Sequence, residues 1–253
     1  MDKNVYRIST LSTFLGNILY LIIIYNLWKA IFAGSPSELI NGMNFKDTFI
    51  YLAISYSMQT TFCSFTDWYI SYCIVDGRII HDFLKPMNYQ TYVFLYIMGD
   101  VLSNFIFIFI PSFIMILVVS GDFSLIGARI PFYLIAMLLA MCINFIIDFF
   151  VGTICFYTES TWGLNMVKTV IVSLLSGAIV PIPFFPESIR SIVECLPFHA
   201  ISNLPVQVLI NDSYKIADYF RIFGIQIFWL IILTVISQLF FKHASKVVVV
   251  NGG

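Results

Sequence analysis

The stretch from Leu174 to Leu209, LLSGAIVPIPFFPESIRSIVECLPFHAISNLPVQVL, constrains this chain more than any other. It is too apolar for a connection through water. Five prolines (Pro181, Pro183, Pro186, Pro197 and Pro205) interrupt it too often for one spanning helix. Non-helical backbone at membrane depth persists only where protein covers it or where it lines a cavity. The pattern therefore predicts a membrane helix that ends at Pro181, then short helical pieces that dip back into the bilayer edge over residues 181–209. Ile189, Ile192, Val193 and Leu196 fall at i, i+3, i+4 and i+7, which gives residues 187–196 one apolar face. The competing reading is an ordinary apolar outer loop.

The rest of the chain has the same character. Hydrophobic residues make up 60% and charged residues 11%, with a mean hydropathy of +0.92. Soluble domains carry roughly 25% charged residues, so this composition belongs to a polytopic membrane protein. A chain of 253 residues has room for about six spans of ~20 residues and no separate soluble domain. The net charge of −1 gives no argument for nucleic acid. Five cysteines (Cys63, Cys73, Cys142, Cys155 and Cys195) are odd in number and show no metal spacing, so neither a disulfide framework nor a metal site is expected.

Six spans are predicted, at about 11–32, 48–70, 91–119, 130–151, 164–180 and 219–241. The first, with 22 residues, reaches about 33 Å as a helix. It is too long for a signal-peptide core. Pro111 is the expected kink of the long third span. In the second span Ser57, Thr60, Ser64 and Asp67 recur at spacings of 3, 4 and 3; in the fifth, Asn165, Thr169, Ser173 and Gly177 recur at 4. Each set gives one helical face small and polar groups, which in lipid must meet protein or water. Both interhelical packing and a lining role fit this pattern.

Between spans two and three lies the most charged segment, VDGRIIHDFLKPMNY, with Asp76, Gly77, Arg78, His81, Asp82 and Lys85 before Pro86. Ile79, Ile80, Phe83 and Leu84 give it an apolar face, so a short amphipathic helix over about 75–86 is predicted outside the bilayer. It reads either as a docking element for a soluble partner or as a simple interfacial helix.

Charge hardly orients the chain. With the N-terminus inside, Lys3, Arg7, Arg78, Lys85, Lys168, Lys242 and Lys246 share that side. Lys29, Lys46, Arg129, Arg190, Lys215 and Arg221 take the other. No G-x-x-x-x-G-K-[ST], H-E-x-x-H or G-x-S-x-G motif is present. Intramembrane ionisable residues are functional suspects by default; here they are Asp67, Asp100, Asp148 and Lys168. One hypothesis pairs Lys168 with one or more of the aspartates to hold the inner ends of spans two to five. The other makes the acids a proton or cation relay.

Three stretches together resemble a family. SGAIVPIPFFP (176–186) with CLPFHAISNLP (195–205) is similar to a characteristic segment of the permease subunits of type-2 ATP-binding-cassette (ABC) exporters. The likeness is to the six-helix bacterial branch of antibiotic and daunorubicin-type exporters. Gly152 with FYTE (156–159) is similar to that family's turn, with Tyr157 in place of its usual Trp; the closing VVNGG resembles its usual end.

The resemblance implies an all-α integral membrane protein forming a single permease domain in the bacterial cytoplasmic membrane, with both termini cytoplasmic. It implies that residues 76–86 are a coupling helix docking on a separate ABC ATPase subunit, and that residues 181–209 are re-entrant outer helices capping the pathway. It further implies that two permeases, identical or homologous, share a substrate pathway lined by spans two and five. ATP and Mg would be bound by the partner and no cofactor by this chain; the aromatic-rich composition, with 26 Phe, 14 Tyr and 4 Trp, would suit a lipophilic substrate: a drug, lipid or hydrophobic peptide. The alternative is a secondary transporter or channel driven by an ion gradient through its buried aspartates.

Overall fold

The structure, a computed structural model, describes residues 3–35, 39–63, 65–158 and 162–247. It is all-α: α1 (Lys3–Ala33), α2 (Phe45–Phe62), α3 (Thr66–Val75), α4 (Ile79–Phe83), α5 (Tyr89–Asn104), α6 (Ile110–Ser120), α7 (Ile130–Thr153), α8 (Trp162–Leu175), α9 (Glu187–Glu194), α10 (Asn203–Ile210) and α11 (Ile216–Ala244). By length and composition four helical stretches suffice to cross a membrane: Leu11–Ala33, Tyr89–Ser120, Ile130–Phe156 and Ile216–Ala244. The centre is α7, which packs against α11, α3 and α10; α2 packs against α1, α6 and α10.

The third apolar run stays helical past Pro111 by a local change of winding. Pro111 has no N–H, so one helical bond is missing. A π-turn over Phe105–Phe109 absorbs the defect, and the Ile110 N–H bonds Phe105 O, five residues back.

Three boundaries differ from expectation. The second span is not one helix. It breaks after Phe62, and Phe65 sits in the left-handed region at φ 50° before α3 begins. The Asn104 side chain covers the break, 3.4 Å from Thr61 O and 3.5 Å from Cys63 O. Ser57 and Thr60 thus lie on one helix and Asp67 on another, while Ser64 falls outside the described residues. The fifth helix ends at Leu175, short of Val180. Gly177 takes φ 85°, its N–H bonds Leu174 O, and the Ile179 N–H reaches back to Ser173 O, closing the helix end. The coupling helix is shorter than residues 75–86: α3 runs through Val75, the chain reverses at Gly77 (φ 70°), and only Ile79–Phe83 is helical.

Beyond Gly177 every proline serves a short helical start. Pro181 and Pro186 are the residues before the 3-10 turn Ile182–Phe184 and before α9. Pro183 lies in that turn, Pro197 opens the 3-10 turn Pro197–Ala200, and Pro205 sits in the first turn of α10. At these places a missing N–H breaks no helical bond. The Ala at 200 and the residues Val206, Val208 and Leu209 are fully buried. At eight residues, α10 extends only about 12 Å.

The reversal is fastened to α2. The Asn203 N–H bonds Ser176 O, and Asn203 Oδ1 accepts from the Tyr51 hydroxyl at 2.9 Å. A β-carbon at Gly177 would collide with that hydroxyl. Gly177→Ala therefore meets both a left-handed backbone and an overpacked core, at a combined cost of about 2–4 kcal/mol. Thermal unfolding of the purified chain should show it, and adding Tyr51→Phe should destabilise by less than the sum of the two single changes. Strict additivity would contradict the contact.

Candidate functional site

Two sites emerge, one buried and one at the surface. The buried site joins three helices by charge. Lys168 Nζ on α8 lies 2.6 Å from Asp67 Oδ2 on α3 and 2.7 Å from Asp148 Oδ1 on α7. All three side chains are largely enclosed, with 14%, 4% and 8% of their surface exposed. The other carboxylate oxygens are also occupied. Asp148 Oδ2 accepts from Asn144 Nδ2 at 3.0 Å, and Asp67 Oδ1 accepts the Trp68 N–H at 3.0 Å. Asp67 further lies in the first turn of α3, where the helix dipole favours a negative charge.

Backbone geometry makes this cluster reachable. A β-carbon on Gly152 would stand 3.0 Å from Ile70 Cβ and 3.1 Å from Asp67 Cα. Glycine there lets α3 and α7 approach closely, one turn from Asp148. Asp100 stays apart: it is exposed on α5 and makes no ion pair among the described residues.

The polar stripes divide. Ser57 is fully buried and lies 3.4 Å from Asn17 Nδ2, which donates to Ser112 Oγ at 2.5 Å. Its place is in the α1–α2–α6 packing. Thr60 is half-buried and donates to Tyr56 O. On α8, Asn165 and Ser173 are buried, and Ser173 Oγ accepts from the Gln59 side chain of α2. Thr169 is exposed, and Gly177 lies past the helix end. Gln59, which brings α2 and α8 together, was missed because it falls outside the stripe spacing.

At the surface, α4 stands on an aromatic cluster. Phe83 meets Tyr89 and Phe241 edge-on, with centroids 5.5 and 5.9 Å apart. Tyr89 stacks on Phe241 at 5.2 Å, and Phe149 lies 5.5 Å from Phe241. The last turns of α7 and α11 and the start of α5 thus share one contact with α4. Asp82 is buried and accepts from Lys85 Nζ at 2.7 Å; that ammonium lies 3.5 Å above the Tyr92 ring. Asp82 thus faces inward, which removes it from an exposed docking face. Arg78 stays half-exposed, 3.3 Å from Asp76 and stacked over Tyr72. Tyr72, Val75, Leu84 and Met87 are exposed on this stretch of chain, Leu84 by 78%. His81 and Pro86 lie exposed on the same segment.

Removing the Lys168 ammonium leaves two enclosed carboxylates without their shared cation, which costs about 3–5 kcal/mol. Lys168→Met should lower the yield and thermal stability of the detergent-purified chain. Adding Asp67→Asn and Asp148→Asn should recover much of the loss. A stable Lys168→Met chain with altered ion coupling would instead support a relay.

A sequence model described as ABC-2 family transporter protein matches residues 17–252. No curated protein and no solved structure gives a match. The match extends over nearly the whole helical bundle, including the reversal after α8 and the segment around α4. The chain belongs to the ABC-2 family of transporter membrane proteins.

Proposed function

We propose that this chain is the membrane subunit of an ATP-driven bacterial exporter, worked by a separate ABC ATPase that docks on the segment from Tyr72 to Met87. The supporting observation is that the segment leaves Tyr72, Val75, Leu84 and Met87 exposed and presents the Arg78 guanidinium over the Tyr72 ring. Apolar anchors beside an arginine are what a protein partner uses. In this reading α4 is the coupling helix, Asp76, Gly77, Arg78 and His81 present its outer side, and Asp82 with Lys85 holds its shape.

The mechanism follows from what α4 touches. ATP-driven closure of two ATPases presses on α4, and Phe83 passes the displacement to Tyr89, Phe149 and Phe241. The ends of α5, α7 and α11 then move together, and access to the pathway switches between the two sides. The pathway lies between this chain and a second permease, bounded by α2 and α8, with Thr60 and Thr169 as the stripe residues nearest that face. Six crossings with cytoplasmic termini require the broken α2–α3 unit and α8 to cross as well. Residues 181–210 then cap the outer end, and the substrate is lipophilic. A gradient-driven carrier is less well supported, because Asp67 and Asp148 are both engaged by Lys168.

Co-expression with ABC ATPase subunits of the same genome, followed by affinity purification and vesicle transport assays, tests this. Leu84→Asp should weaken the complex by about tenfold or more. Arg78→Glu should uncouple ATP hydrolysis from transport while membrane insertion is unchanged. Wild-type complex and transport in both variants would remove the docking assignment.

A further inference from the structure

At the end of α11 away from α4, a cavity of about 680 Å³ opens between the loop Asn41–Met43, the turn at Ile182, α9, α10 and the first turns of α11. On α11 the cavity is lined from Asp218 to Ile225, about 24–35 Å along the helix from Phe241 of the aromatic cluster. We propose that this cavity binds an amphipathic anion, a molecule with a phosphate or carboxylate head on a short apolar body. The site lies toward the opposite end of α11 from the segment proposed to dock the ATPase.

The size falls within the ~300–1,000 Å³ typical of small-molecule sites. The lining includes the apolar side chains of Met43, Ile182, Ile222 and Ile225. A bare inorganic ion would leave them against water, so a ligand that uses them carries hydrocarbon. The same lining carries two acids and two arginines. Glu194 is paired with Arg190 at 2.8 Å, while Asp218 caps the start of α11, its Oδ2 accepting the Lys215 N–H at 2.8 Å. The exposed Arg221 guanidinium has no ion pair among the described residues, and it lines the same cavity. Its planar fork of donors matches a phosphate or carboxylate head.

His199 adds an acceptor rather than a charge. The ring is 4% exposed, and Nδ1 lies 2.6 Å from Leu196 O. A carbonyl only accepts, so Nδ1 carries the hydrogen and Nε2 offers a lone pair. Burial pushes the imidazole pKa below its usual value, which keeps the ring neutral. A neutral ring at the cavity wall suits a headgroup that also bears a hydroxyl.

The test uses the purified full chain in phosphatidylcholine nanodiscs, with dihexanoyl phosphatidic acid as the probe and calorimetric titration as the readout. Dihexanoyl phosphatidylcholine and inorganic phosphate are the comparators. Saturable binding at one site per chain is expected, about tenfold or more tighter than either comparator, the difference one charged hydrogen-bonded contact makes. Arg221→Gln should remove that preference, and Leu204→Trp, which fills the cavity, should remove binding. Equal binding of the phosphatidylcholine would reduce the site to apolar partition, and equal binding of phosphate would reduce it to an ion site. Either result, or wild-type affinity in either variant, overturns the proposal.

Discussion

The side-chain amide of Gln226 stands 3.0 Å from the carbonyl oxygens of both Ala136 and Ala200. This contact shows the constraint that governs the whole fold. Inside lipid a chain that leaves the helix must find partners for its backbone within the protein. Each group left unpaired costs about 1–3 kcal/mol. Gln226 from α11 supplies such a partner where the chain is least regular. Asn203 N–H does the same for Ser176 O, and Arg129, which also pairs with Asp212, donates to Leu209 O at 3.1 Å. The segment from Ser176 to Leu209 can turn back because its neighbours complete it.

A second constraint acts along α7. Two carboxylates and one ammonium are tolerated in a low-dielectric interior only when the contacts are close and the remaining lone pairs are satisfied. Asn144 and the Trp68 N–H satisfy them here. The left-handed Phe65 costs of order 1–2 kcal/mol, and it starts α3 afresh so that Asp67 lies in a helical first turn. Gly152 then lets α3 approach α7. Strain at Phe65, close contact at Gly152 and the ion cluster are thus parts of one arrangement. Of the helices it binds, α7 also carries Phe149 of the aromatic cluster beneath α4.

Much of this was legible in the sequence, for identifiable reasons. The prolines after Val180 forbid a spanning helix at any register. Pro111 in a long apolar run announces a local defect, although not that a π-turn would absorb it. Lys168 is the one basic residue among the intramembrane suspects, so its partners had to be acids, yet spacing did not say which; Asp100 lies exposed on α5. The break at Cys63–Phe65 was invisible because it contains neither glycine nor proline and rests on the Asn104 side chain from a distant helix. The inward turn of Asp82 and the links Tyr51–Asn203 and Gln59–Ser173 were hidden likewise, since a polar residue in an apolar run does not name its partner. The exact end of α8 depended on Gly177 meeting Tyr51, again a tertiary contact.

The central claim is that the chain between α8 and α11 returns to the face it came from. Cysteine accessibility on intact cells tests it most directly, in a background where the exposed Cys63 and Cys195 are replaced by serine. Single cysteines at Glu187, Ser213 and Arg78 would be offered a membrane-impermeant maleimide before and after permeabilisation. The account predicts that positions 187 and 213 label on intact cells and that position 78 labels only after permeabilisation. Positions 187 and 213 appearing on opposite faces would mean that the segment crosses the membrane, and would contradict it.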